Sequence, residues 1–369
     1  MAYGITARAL TVFVAAKAIA VAALLAGRWL NFTPLHPWNY LVFTDAEAGS
    51  LLAFINWDGQ HYLRLALGGY PVPADPSSAF FPLLPGLIAL GMFLGLGPIA
   101  AGLVVVTLAS AGVLLFLKEL LPREETGPSS LWLFAGFPTA FYLSAVYSEA
   151  VFLAALLGLL WGLRDPRRAG YAALCAVLLP LARAQGLWLA LPLAVAWMFW
   201  RGERRALVGA SAGYALGLGL YLAFFAWRYG DPFAGFVAQK VFVFGNAIPN
   251  LFDLQRFADF LLKPPSRFLD TKNSGLDKAM IALSLGALAL GIRRSPDAFL
   301  AATWLCFTLL PAMIGEGGSY ARHALAAWAC FVVAAGPALK PALKWALVLG
   351  GFALQIYLAW NFGGNRWVG

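Results

Sequence analysis

Charge is scarce in this chain: Asp, Glu, Lys and Arg make up 12% of its 369 residues, where a soluble domain carries about 25%. So little charge cannot clothe a water-soluble globule. The remainder is 61% apolar, with a mean hydropathy of +0.75, which predicts an all-α polytopic membrane protein. The apolar runs are too long and too uniform for the alternating strands of a barrel, so the backbone must satisfy itself in helices. Cysteine is equally sparse: Cys175, Cys306 and Cys330 all fall inside apolar runs, so neither a disulfide framework nor a thiolate metal site is indicated. There are three histidines, and none has a second histidine or a carboxylate cluster at ligand spacing, so zinc is not indicated. The formal charge of +9 does not point to nucleic acid, because the basic residues sit in short clusters between apolar runs. No internal repeat, low-complexity tract or soluble domain is visible, and residues 1–369 read as a single transmembrane domain.

What is present in abundance is helix-length apolar sequence. Spans are expected near 9–27, 98–121, 129–145, 148–163, 169–183, 186–200, 206–227, 279–292, 297–314, 320–337 and 343–361, about 11 in all. The first has a basic start and no clear cleavage site, and is expected to be retained. The segment "FPLLPGLIALGMFLG" (81–95) is shorter and opened by Pro82 and Pro85. Counting it as a span would place the clusters Lys118/Arg123, 164–168, 201–205, Arg293/Arg294 and Lys340/Lys344 outside. Leaving it in the interface puts them all on the cytoplasmic side, as Lys and Arg prefer, with a cytoplasmic N-terminus. Two long outer loops follow, residues 28–97 and 228–278, with shorter outer turns at "YSEA", "RAQG" and "EGGSYARH".

The unusual polar groups gather on that outer side. In "FINWDGQHYLRLALGGYP" (54–71), Asp58 stands before a short amphipathic helix. A helix N-cap is one reading. The other is a general base, partly desolvated by Trp57 and able to take a proton from a hydroxyl. His61 fits an interfacial or orienting part, beside Tyr62. Glu149 opens the fourth span, where the helix dipole favours it, and forms a polar knot with Tyr147 and Ser148. Arg183 interrupts the run "LLPLARAQGLWLALPL". It and Arg322 either snorkel to the interface or, with Lys240 and His323, form an anion site suited to phosphate. Lys240 reads equally as a solvated loop charge.

The motifs "NWDGQHYLRLALGGY", "AFFPLLPGL", "YSEAVFL", "LARAQGLWLALP", "YGDPFAGFVAQKVF", "GSYARHAL" and "NRWVG", in this order over nearly the whole chain, resemble the bacterial relatives of PIG-V, the second mannosyltransferase of GPI-anchor assembly. That family belongs to the GT-C glycosyltransferases. The resemblance implies a bundle of transmembrane helices with two juxtamembrane helices in the first outer loop. It implies an outer-face active site using sugars carried on polyprenyl or dolichyl phosphate, Asp58 as the catalytic acidic residue and Glu149 as a second acidic position. Lys240, Arg183 and Arg322 match the family's basic positions.

Together these readings predict an inverting, mannosyltransferase-like enzyme of the bacterial cell membrane. Asp58 would activate an acceptor hydroxyl, on a glycan or glycolipid, toward a lipid-linked sugar donor. Arg183, Lys240, Arg322 and His323 would hold the donor phosphate, and Trp57, His61, Tyr62, Tyr147 and Gln185 would line the substrate site. A phosphate leaving group is a weak base, so no cofactor is required and a divalent metal is optional. The rival class is a lipid or solute transporter or flippase, which would place ionisable residues near the midplane and show repeat symmetry.

Overall fold

A computed structural model describes residues 2–34, 41–122, 126–200, 204–241, 248–271, 273–314 and 319–368, without the side chains of 2–6, 126–128, 240, 241 and 248. Among the described residues the regular structure is entirely helical. In chain order the α-helices are α1 (Ala2–Leu30), α2 (Asp45–Ala48), α3 (Asp58–Gly68), α4 (Leu83–Phe93), α5 (Pro98–Leu120), α6 (Thr126–Ala135), α7 (Glu149–Leu163) and α8 (Ala169–Ala182). There follow α9 (Ala184–Leu187), α10 (Ala190–Phe199), α11 (Arg205–Tyr229), α12 (Ala234–Val241), α13 (Leu254–Leu262), α14 (Gly275–Gly291), α15 (Ala298–Ile314), α16 (Tyr320–Ala334) and α17 (Pro341–Gly363). Among the described residues five stretches, in α1, α5, α11, α17 and the run Gly275–Arg294, are long and apolar enough to cross a bilayer. The protein is membrane-embedded in character, with shorter apolar helices at 83–93, 149–163, 184–199, 298–314 and 320–334.

The chain divides into two units. The first holds residues 1–69, 82–161 and 336–366; the second holds 70–81, 162–335 and 367–369.

In the first unit α1 packs against α17, and α4 against α5 and α3. The expected span 129–145 is two pieces: α6 stops at Ala135, and a 3-10 turn follows at Ala140–Ser144. The step between them contains Pro138, which has no N–H to continue a helical ladder. Gln355 Nε2 of α17 donates to Ala135 O at 3.0 Å and to Phe137 O at 2.7 Å, the latter also accepting the Ala140 N–H at 2.9 Å. Without that donor, the Ala135 carbonyl would lose this partner in an apolar surround, at a cost of about 1–3 kcal/mol.

In the second unit the closest seam joins α8 to α11. Gly209, Gly213 and Gly217 form a small-residue stripe on α11, and a Cβ at Gly213 or Gly217 would stand 2.2 Å from the carbonyl oxygen of Ala173 or Val177 on α8. Only glycine lets the two backbones approach so closely, the device by which helices associate in lipid without a hydrophobic drive. Helices α14, α15 and α16 pack on one another around Trp304 and Phe331.

Candidate functional site

Four of the expected residues of the first unit come together at the start of α3. The chain turns at Trp57, whose φ of 56° and ψ of −115° lie where a side chain is rarely tolerated; such a conformation costs about 1–3 kcal/mol and persists when its surroundings impose it. Here they do. Asn56 Nδ2 donates to Phe362 O of α17 at 2.7 Å. The Tyr147 hydroxyl donates to Asn56 O at 2.9 Å and accepts from the Asp58 backbone N–H at 3.2 Å, bracing both sides of the turn. Tyr62, one turn along α3, donates to Ser148 Oγ at 2.8 Å, and its ring meets that of Tyr147 edge-on at 6.5 Å. Tyr147 is itself wedged between Tyr142 and Phe362. The peptide at Val146 closes the arrangement by donating its N–H to Phe54 O at 2.8 Å.

Asp58 is therefore the first residue of α3, with Trp57 at the cap position and no side-chain capping bond there. Its half-buried carboxylate sits in the first turn, where the helix dipole favours negative charge. Glu149 opens α7 one residue after Ser148 and is 3% exposed, so two acidic residues flank the tyrosine pair. His61 is half-buried on α3. Two buried amides with no expected role also lie here: Asn56, and Gln60, which accepts from the N–H groups of Val42 and Phe43 and donates to Phe43 O. For Asn56 the signal was a polar residue between Ile55 and Trp57, whereas Gln60 stands in the polar run "DGQH".

In the second unit the expected cations gather at another break. Pro180 lies within α8, which ends at Ala182; Arg183 is extended (φ −167°, ψ 155°), and α9 starts immediately after it. Arg183 is 7% exposed. Gly186 lets α9 fold back on the end of α8, since a Cβ there would lie 1.9 Å from Leu179 O. Gln185 Nε2 donates to His323 O at 3.3 Å, tying this break to the first turn of α16. His323 lies within electrostatic reach of both Arg183 and Arg322. These four residues thus form one cluster. Lys240 belongs to α12, and its side chain lies outside the described residues.

The cluster has an acidic member that the sequence reading passed over. Asp277, 0% exposed in the first turn of α14, accepts from Ala321 N–H at 2.8 Å and from Ser274 Oγ at 3.0 Å, and lies within electrostatic reach of Arg322. The signal existed: "SGLD", a Ser followed three residues later by Asp ahead of an apolar run, is a helix-start pattern.

Chemically, the first cluster offers carboxylates beside hydroxyls and an indole, fit for proton abstraction from an alcohol. The second offers two guanidiniums with an amide and an imidazole, fit for an oxyanion such as phosphate. Among the described residues no three His, Cys, Asp or Glu side chains converge as a metal ion would need. No family model matches the chain, and no curated protein shows a significant match to its sequence.

Proposed function

We propose that this protein is a GT-C-type glycosyltransferase resembling the PIG-V relatives, with about 11 spans and two juxtamembrane helices, α3 and α4. It moves a sugar, mannose on the resemblance, from a polyprenyl-phosphate donor to a hydroxyl acceptor at the extracytoplasmic face of the bacterial plasma membrane, with the N-terminus cytoplasmic. Asp58 takes the acceptor proton as the oxygen attacks the anomeric carbon, inverting it, and Glu149 supports the acidic side of the site. The C–O bond to the lipid phosphate breaks, and Arg183, Arg322, Lys240 and His323 receive the departing phosphate. Trp57, His61, Tyr62, Tyr147 and Gln185 contact the substrates.

One observation carries the reading: segments 56–62 and 144–149, far apart in sequence, interlock through two tyrosine hydroxyls around a strained turn that presents Asp58. Strain of this kind is maintained where geometry matters more than stability.

Transport is the second reading, and Lys17 favours it. It lies mid-way along α1, half-buried, with Nζ 2.8 Å from Leu143 O beside Ser110, Ser144 and Gln355. An ionisable group at such depth marks a substrate path in transporters.

The test is to incubate purified protein with a panel of polyprenyl-phosphate sugars and a membrane lipid extract, reading product mass and anomeric linkage. Asp58→Asn is expected to lower turnover by about 10²- to 10⁴-fold with an unchanged melting profile. Wild-type turnover by that variant would refute the base assignment.

A further inference from the structure

Helix α16 is preceded at its N-cap by Ser319, which is in the left-handed region (φ 64°, ψ 17°) and makes no capping bond with its own side chain. The first N–H groups of a helix need acceptors, the more so in an apolar surround. They find one on a neighbouring helix. The Asp277 carboxyl group of α14 takes the Ala321 N–H at 2.8 Å. It is oriented in turn by Ser274, whose hydroxyl donates to Oδ2 at 3.0 Å and accepts the Asp277 N–H at 2.9 Å. The turn so capped is the one that carries Arg322, and the guanidinium lies within electrostatic reach of the same carboxyl group.

We propose that Asp277 is the positioning residue for Arg322. It holds the 319–322 turn through the Ala321 N–H and attracts the guanidinium, which restricts how far a long, rotamer-rich side chain can swing. This rests on the phosphate role given to Arg322 above. An arginine preset in this way recognises phosphate without ordering itself at the moment of binding.

The experiment measures binding of a short-chain polyprenyl phosphate to the full-length protein in detergent, with the corresponding polyprenol as control. Asp277→Asn keeps an oxygen for the Ala321 N–H and removes the charge. It is expected to weaken phosphate binding by about tenfold or more, with little further loss when Arg322→Ala is already present, because residues acting through one another are not additive. Ser274→Ala, which removes only the orienting hydroxyl, is expected to act in the same direction by about twofold to fivefold. Should Asp277→Asn fail to fold, the Ser274→Ala and Arg322→Ala pair decides the matter by the same non-additivity.

Equal losses with and without Arg322 would mean that Asp277 merely supports the fold, and would overturn the proposal. Unchanged binding by Asp277→Asn, alongside lost binding by Arg322→Ala, would overturn it while leaving the phosphate role standing. Unchanged binding by Arg322→Ala would end both.

Discussion

The two breaks that present charged side chains, Trp57–Asp58 in one unit and Arg183 in the other, are built on opposite physics. At Trp57 the backbone is strained and hydrogen bonds hold it, chiefly through one tyrosine hydroxyl that touches both flanking residues. At Arg183 the backbone is relaxed and extended, and contact holds it, with Gly186 seated against the last turn of α8. A hydroxyl can rotate and give a few tenths of an ångström, whereas packed backbone cannot. The acidic residue thus rests on an adjustable support and the cation on a rigid one. On the proposed function, this would suit a base that follows a moving proton and a phosphate ligand that stays fixed.

That contrast can be broken experimentally, most severely at the rigid support. Gly186→Ala would set a methyl 1.9 Å from Leu179 O, and no rotamer relieves a Cβ. A loss of about 3 kcal/mol, the upper part of the range for overpacking, is expected as a lowered melting temperature in detergent. A melting temperature equal to wild type would show that this break is as pliable as the other. Tyr147→Phe comes next. It leaves Asn56 O and Asp58 N–H without their shared hydroxyl beside a strained turn, at an expected cost of about 1–2 kcal/mol by the same measurement. Slower turnover should accompany it, and turnover unchanged beside a lowered melting temperature would detach the brace from the chemistry. The smallest effect is expected at Gln185→Leu, which removes a 3.3 Å bond to His323 O for under about 1 kcal/mol. A larger loss would show that the amide, and not the glycine contact, anchors this break.

Much of the helical layout was legible because long apolar runs with charged flanks permit little else. Helices α5, α11 and α17 fall close to the expected spans, and α4 coincides with the segment that the charge count removed from the spans. The break after Ala135 was not legible from hydropathy, since "LWLFAGFPTAFYLSA" is apolar throughout. Pro138 hinted at it, but what makes it stable is Gln355, a donor 220 residues away. The run 186–200 is likewise divided, into α9 and α10. Within the two clusters, residue types at helix ends pointed to Asp58 and Glu149 in one and to Arg183 and Arg322 in the other. Their supports were partly hidden: Asn56 and Asp277 acquire meaning only from partners on other helices, and Ser148, visible as part of a polar knot, gave no sign of its bond to Tyr62. Asp277 precedes the expected span 279–292 and so reads as a flanking charge, whereas α14 starts at Gly275 and buries it.

The α8–α11 stripe carries one more consequence. Where the carbonyls of Ala173 and Val177 touch the glycines of α11, no gap remains for an acyl or isoprenoid tail. Along residues 169–177 of α8 and 209–217 of α11 the seam is closed to lipid, so on the proposed function a lipid-borne donor must reach the cations of this unit past some other stretch.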